Sequence, residues 1–475
     1  MTKIFRALPG SSAAALRLLL VVAVVVVVEP PSSARPAALP QLEDLNVLLI
    51  VIDTLGAEHL EPWNERIEHA PNIHRLAKTG VVFRRAYAPA PWTQPSVASL
   101  FTSQMPSRHG LIRIGTKLHE EQKTLAEELQ ERGFQTGAVV SHRLLDPRYG
   151  FDQGFESFDT GPVPASGHSA ITSDKVTSAA LKWITDRNRD APFFMFVHYF
   201  DPHYIYRHHP EFDRTSDYDG PIRSGAKISR LRASRDELTE EDIRFLIGLY
   251  HEEIAYTDRE IGRLLDHVEA HITSRPTLVV LTSDHGEEFM RHGWIGHTRT
   301  LYEELIRVPL VVSLPGILSP RRIDAPVSLV DVPATLFSML SNPPDSRHQD
   351  GLALLPYLTG KGRKPERTEV FAEVSYETPG QADKTAFKTS LIGRDFKLIH
   401  DLPTDTFELY SVRSDPLELS PLADSQPVLP GLRERLLQWE ETRAAGQSDT
   451  EDVPLDQEEI ERLRSLGYVG GASGP

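Results

Sequence analysis

The stretch Asn46-Val47-Leu48-Leu49-Ile50-Val51-Ile52-Asp53-Thr54 decides the fold. Six aliphatic side chains in succession, four of them β-branched, leave the segment no polar face. A strand of that kind is buried on both sides, as in a parallel sheet covered by helices. Asp53 then stands at its carboxyl end, where open α/β sheets bind their ligands.

Two more runs share this texture and end the same way. Phe193-Phe194-Met195-Phe196-Val197-His198-Tyr199-Phe200 delivers Asp201-Pro202-His203, and Thr277-Leu278-Val279-Val280-Leu281-Thr282 delivers Ser283-Asp284-His285-Gly286-Glu287-Glu288. Val81–Tyr87, Thr136–Ser141 and Val308–Leu314 read as further strands. Helices are predicted between them: Pro71–Gly80 closed by Gly80 at C′, Thr124–Arg132 ended by Gly133, Ser173–Asn188, Leu238–His271, and Asp331–Leu340 with Pro333 in its first turn. Such alternation predicts an α/β fold with a doubly wound, mostly parallel sheet. The polar stretch from Tyr204 to Glu237 reads as a long loop of the lid type, with His208 and His209 solvated.

The texture changes near Glu369. Shorter strands at Glu369–Val374, Lys388–Ile392, Phe396–Asp401 and Phe407–Val412, with a helix over Pro430–Arg443, predict a smaller C-terminal α+β subdomain. A linker (Gly446–Pro454) and a terminal helix (Leu455–Leu466) follow, after which Tyr468 is expected to tuck back onto the body. The domains are thus a leader over 1–40, a catalytic α/β domain over 41–368, a subdomain over 369–445, and a linker with terminal helix over 446–475.

The leader carries Lys3, Arg6 and Arg17, the apolar run Leu18–Val28, and then Pro30-Pro31-Ser32-Ser33-Ala34. That run suits a signal peptide, with an uncleaved anchor as the alternative. Either predicts export: periplasmic, secreted, or membrane-anchored outside the cytoplasm. The chain has no cysteine, which removes disulfides, thiolate zinc sites and cysteine nucleophiles. Its net charge of −16 argues against nucleic acid as a partner and leaves membrane contact to the N-terminal anchor.

In Ala90-Pro91-Trp92-Thr93-Gln94-Pro95-Ser96-Val97, the proline is read as opening a helix. Thr93 then lies at or just outside a helix N-terminus, where unpaired N–H groups and the dipole attract anions. Asp53 and Asp284-His285 reach the same sheet edge, and two carboxylates with one imidazole suit a divalent cation: calcium, magnesium, manganese or zinc. His198 reads as a residue that packs within its strand.

The wording and order of these motifs resemble the sulfatase family of the alkaline phosphatase superfamily. The resemblance is carried by Val51-Ile52-Asp53-Thr54-Leu55, Ala70-Pro71-Asn72-Ile73-His74-Arg75-Leu76-Ala77, Thr93-Gln94-Pro95-Ser96-Val97-Ala98-Ser99-Leu100, Asp201-Pro202-His203-Tyr204 and Thr282-Ser283-Asp284-His285-Gly286-Glu287. Gly296-His297-Thr298-Arg299-Thr300-Leu301-Tyr302-Glu303-Glu304, Arg307-Val308-Pro309-Leu310 and Glu408-Leu409-Tyr410-Ser411-Val412-Arg413-Ser414-Asp415-Pro416 extend it, so that it spans Asn46 to Asp424. It implies an α/β core with a small C-terminal antiparallel sheet.

The resemblance further implies that Asp53, Asp284 and His285 are metal ligands and that Thr93, at the nucleophile position, shares the metal. His203 resembles the family's substrate-contacting histidine. His297 matches a position whose lysine or histidine binds the transferred group or protonates the leaving oxygen, with His292 as a second candidate. A second cation held by Asp201, His203 and His297 is an alternative to the single-metal arrangement, and Asp201 as a cap of the Pro202 turn is another.

Sulfatases oxidise a motif cysteine or serine to formylglycine. Here the position is Thr93, so no formylglycine is expected. Val97 replaces the motif arginine, and Asp53-Thr54 replaces paired aspartates. Threonine is the nucleophile in phosphate-handling relatives such as nucleotide pyrophosphatases. The implied function is an exported, metal-dependent hydrolase of small anionic esters, sugar-linked ones included. Thr93 would attack sulfur or phosphorus directly, with phosphate or phosphonate esters favoured chemically. A non-catalytic protein binding an anionic glycan or a partner, and a phosphoryl head-group transferase, are the alternatives.

Overall fold

The structure is a computed structural model, and it describes residues 39–164, 171–272, 274–363, 367–376, 386–446, 448, 451–465 and 468. Residues 1–38 of the leader lie outside the described residues, among which no helix is long and apolar enough to cross a membrane.

In chain order the elements that build the site are β1 (Asn46–Ile52), α1 (Pro71–Thr79), β2 (Val81–Tyr87), α2 (Thr93–Thr102), α3 (Leu125–Gln130), β3 (Gln135–Val140), β4 (Ser157–Asp159), α4 (Ser173–Asp186), β5 (Phe193–Tyr199), α5 (Glu240–His271), β6 (Thr277–Ser283), β7 (Arg307–Ser313), β8 (Arg321–Ile323), β9 (Val327–Ser328) and α6 (Asp331–Ser338). Strands β10 (Val370–Tyr376), β11 (Ala386–Ile392), β12 (Phe396–Asp401) and β13 (Thr406–Ser411), with helices α7 (Leu429–Ala445) and α8 (Gln457–Ser465), complete the chain.

Among the described residues the main sheet has nine strands in the order β8-β2-β7-β6-β1-β5-β3-β4, with β9 also on β2. Strand β1 sits in the middle and pairs in parallel with both β5 and β6, every one of its residues buried. Its alternate side chains feed two cores. Val47, Leu49 and Val51 join Trp92, Val97 and Leu100 on one face. Leu48, Ile50 and Ile52 join residues of α1, α4 and α5 on the other, including Ile73, Ala180, Leu249 and Ile261. Burying each such side chain contributes about 1.5–3 kcal/mol, which is why a run apolar on both faces can only be a central strand. Strand β7 is the antiparallel exception, wedged between β2 and β6.

Helix starts follow their caps. Thr124 and Glu127 form a capping box at α3, and Thr239 and Asp242 form another at α5, each worth about 1 kcal/mol. Two details differ from the sequence reading. Helix α2 begins at Thr93 itself, with Pro95 in its third position, where no intrahelical N–H partner is needed. Gly80 closes α1 at φ −103°, not in the left-handed region; a Cβ there would meet Val311 at 2.9 Å and the Val312 carbonyl at 3.0 Å, so close approach to β7 explains the glycine.

The C-terminal strands form a separate antiparallel sheet ordered β10-β11-β12-β13. Leu391, Leu398 and Leu409 from it pack against Leu432 and Leu436 of α7, and Phe371 stacks on Trp439.

Candidate active site

The parallel register brings the ends of β1 and β6 side by side, because Ile52 pairs with Ser283. Asp53 and Asp284 follow directly, and with His285 they put one ligand atom each within 4.8 Å of the others. All three are fully buried. The His285 Nδ1–H donates to the Gly286 carbonyl at 2.9 Å, leaving Nε2 to face Asp53 Oδ1 and Asp284 Oδ2 at 3.6 Å each. Gly286 is obligatory: a Cβ would lie 2.0 Å from the Glu304 carbonyl oxygen.

The carboxylates are short of partners. Both oxygens of Asp53 and Oδ2 of Asp284 accept no hydrogen bond, whereas Asp284 Oδ1 accepts from the backbone of Thr54 and His285. Burial pushes Asp53 well above its ordinary range, and the neighbouring Asp284 and Glu287 push it further. Burial would raise Asp284 too, but His285 and His198 bring it below its ordinary value. Unpaired buried charge is expensive, so three orphaned oxygens around one imidazole lone pair fit a hard or borderline divalent cation. Thr54, standing where the second aspartate of the resemblance would be, has φ +55°, uncommon for a β-branched residue, and its hydroxyl is likewise unpartnered.

Thr93 is held at the head of α2 beside this group, its Oγ1 3.4 Å from His285 Nε2. The helix start is pinned by the Ser96 hydroxyl, which donates to the Asp284 carbonyl at 2.6 Å, and by Gln94, which donates to the Leu144 carbonyl. Val97 is buried in the core, so the departure from arginine leaves an apolar residue behind Thr93. His203 and His297 come to the same place, their rings 4.9 Å apart. The His203 Nδ1–H donates to the Tyr204 carbonyl, which points Nε2 inward. His297 Nδ1 lies 2.9 Å from Glu287 Oε1. Burial drives His297 far below its ordinary pKa, helped by His285 and His203, while burial raises Glu287 to about 8.

Asp201 belongs elsewhere. Its Oδ2 accepts from Ser173 N at 2.8 Å, Ser173 Oγ at 2.6 Å and Thr172 N at 2.9 Å, which caps α4. An Asp201–His203–His297 cation site is therefore not assembled, nor does Asp201 serve the Pro202 turn. His292 is also remote, bonded to Glu304 at 2.6 Å and to the Glu418 carbonyl at 3.0 Å. His209 is buried against Glu253, not solvated, whereas His208 is half-exposed beside Glu252.

Three neighbours escaped the sequence reading. His142 follows β3 as Asp53 follows β1, and the same strand-end rule would have found it; its Nε2 is 3.7 Å from Asp53 Oδ2. Its Nδ1 accepts from Leu144 N, so the neutral ring carries its proton on Nε2, which then has no lone pair for a metal. His198 packs in β5 as read, but its Nε2 also looks at Asp53 and Asp284 from 3.8 and 4.0 Å. Tyr468 tucks back as expected, and its hydroxyl ends among Thr93 Oγ1, His297 Nε2, His203 Nε2 and His142 Nε2.

The family model described as Sulfatase matches residues 45–342, and one described as N-sulphoglucosamine sulphohydrolase, C-terminal, matches 290–442. Among relatives, an N-acetylglucosamine-6-O-sulfatase of Bacteroides thetaiotaomicron is 23% identical, over 82% of this chain and 85% of its own. A choline-sulfatase of Rhizobium meliloti is 25% identical, over 80% and 82%. The solved phosphonate monoester hydrolase of Agrobacterium radiobacter shares the fold with a TM-score of 0.69 at 21% identity, over 87% of this chain and 98% of that one. The chain belongs to the sulfatase family of the alkaline phosphatase superfamily, hydrolases of sulfate and phosphate esters.

Proposed function

We propose that the protein is a metal-dependent hydrolase in which Thr93 attacks the ester directly, with phosphate or phosphonate esters its better substrates. The observation that carries this reading is Thr93 Oγ1 at a helix start, 3.4 Å from the imidazole that faces two buried, unpartnered aspartates. Asp53, Asp284 and His285 would hold the cation. When bound, it would neutralise the carboxylates, acidify the threonine hydroxyl and polarise the substrate oxygen.

The residues of the chain do the rest. The first N–H groups of α2 face the transferred group with the positive end of the helix dipole. Thr93 Oγ1 forms a bond to phosphorus and gives its hydroxyl proton to water, while the bond from phosphorus to the leaving oxygen breaks. His297 hands a proton from Nε2 to that oxygen, and Glu287 behind Nδ1 fixes the ring and takes up the change in charge. Water then attacks the phosphorus and passes a proton to His297 while the bond from phosphorus to Thr93 Oγ1 breaks; Oγ1 takes a proton back from water, and phosphate, or the phosphonate from a phosphonate ester, is released. His203 Nε2, on the same side, contacts the anion.

Both sulfatases and phosphonate monoester hydrolases stand among the similar proteins, one of the former named for a sugar sulfate. Sugar-linked esters are therefore included among the substrates to try, and export remains the expected setting. The test is turnover of an aryl sulfate, a phosphate monoester, a phosphonate monoester and a phosphodiester side by side, with metal analysis and Thr93→Ala as control. Phosphate or phosphonate turnover lost in Thr93→Ala supports the reading. Turnover undiminished in that variant refutes the nucleophile, and metal binding with no turnover of any ester favours a non-catalytic binding protein.

A further inference from the structure

One residue near the C-terminus, Tyr468, reaches the site. Tyr468 is fully buried, and its hydroxyl lies 3.1 Å from His297 Nε2, 3.4 Å from His203 Nε2, 3.4 Å from His142 Nε2 and 3.5 Å from Thr93 Oγ1. Four segments of the chain thus converge on one oxygen. Three of them, Thr93, His203 and His297, are groups that an ester's transferred group must touch under the hydrolase reading, on which this inference rests.

Spacing decides what that means. Hydrogen-bonded oxygen and nitrogen atoms sit about 2.7–3.2 Å apart. Groups at 3.1–3.5 Å from one shared oxygen leave no room among them for a second oxygen, still less for a tetrahedral anion. With Tyr468 in place, Thr93, His285 and His297 are also fully buried.

The placement is anchored. Tyr376 donates its hydroxyl to the Tyr468 carbonyl, and Tyr468 N donates to the Leu463 carbonyl of α8 at 3.0 Å. Helix α8 is in turn tied beside the site by Arg143, which donates from Nε and Nη2 to Glu459 Oε2 at 2.9 and 2.8 Å. We propose that Tyr468 is a residue of the substrate site whose phenol holds the place of the transferred group, so that Tyr468 competes with the substrate and must withdraw for turnover.

The experiment is calorimetric titration of the metal-loaded full chain with inorganic phosphate and with sulfate, compared with Tyr468→Ala, Tyr468→Phe, Glu459→Gln and a chain ending at Ser465. Tyr468→Ala and the shortened chain are expected to bind at least one anion tenfold or more tighter than wild type. Tyr468→Phe keeps the blocking ring and should stay within about threefold. Glu459→Gln touches no group of the site and should fall between. Equal or weaker binding in Tyr468→Ala and in the shortened chain overturns the proposal and makes Tyr468 a bystander or a contributor to anion binding. If Tyr468→Ala fails to fold, Glu459→Gln binding like wild type overturns it instead. Metal-loaded proteins that all fail to bind either anion overturn the hydrolase reading and this proposal together, an outcome distinct from uniform binding in every variant.

Discussion

Two buried acidic clusters in this molecule are built differently. Near the C-terminal sheet, Glu303 and Glu418 surround Lys397, whose side chain is itself fully buried. Lys397 Nζ donates to Glu418 Oε2 at 3.1 Å, and the same oxygen accepts from the backbone of Glu303 at 2.7 Å. At the ends of β1 and β6, Asp53 and Asp284 are equally buried, yet three of their four oxygens have no donor. The side-chain nitrogens that face them belong to imidazoles at 3.6–4.0 Å, and burial holds His285 below its ordinary pKa. One cluster carries its cation in the chain and serves as structure. The other is arranged to receive a cation from outside.

The largest effects should separate function from fold at the second cluster. Thr93→Ala is expected to lower kcat/KM by at least about 10³-fold while metal content, measured by elemental analysis, stays at the wild-type level. Asp53→Asn or Asp284→Asn should lose both metal and activity. The metal-free forms of these two should be at least as stable as metal-free wild type in urea, because a repelling buried charge has gone. Destabilisation of the metal-free protein by Asp53→Asn would mean that an unseen donor already pairs the carboxylate.

At the first cluster the same logic inverts. Lys397→Met leaves Glu303 and Glu418 without their cation and should cost about 3–5 kcal/mol in urea unfolding, with metal content unchanged. A loss below about 1 kcal/mol would show that the pair is solvated or neutral. Metal removal by chelation should act only on the other cluster, lowering stability by about 3 kcal/mol from a state with free metal near 100 Kd. The stability of Asp284→Asn should not respond to the chelator.

Much of this contrast was legible in the sequence because it depends on where strands end. Asp53, Asp284 and His285 each follow a run apolar on both faces, and parallel strands of one sheet must deliver such residues to one edge. His142 obeys the same rule after β3 but belongs to no motif that draws the eye. Asp201 also ends a strand, yet its carboxylate turns to Ser173, 28 residues earlier, and no local pattern announces that a distant helix needs a cap. Tyr468 was legible as a tyrosine that folds back, and its destination was not, since contact with Thr93 spans 375 residues. The charged and polar neighbours of His209 in sequence suggest solvent, whereas Glu253 of α5 buries it.

The smallest expected effect concerns protons at the Lys397 cluster. Burial raises Glu418 from 4.5 to about 7, and Lys397 opposes the rise without cancelling it. A carboxyl whose folded pKa lies above its unfolded one binds more protons in the native state between those two values. Stability from this group is therefore present at low pH and falls as pH rises from about 4.5 to about 7, by on the order of 1–3 kcal/mol. Glu418→Gln removes the titration while keeping an oxygen for the Glu303 N–H. Relative to wild type, the variant should gain stability steadily across that window in urea unfolding at a series of pH values. A variant that instead loses ground as pH rises would show that Lys397 holds Glu418 ionised throughout, and that the chain's own cation neutralises its cluster as fully as the outside cation is proposed to neutralise Asp53 and Asp284.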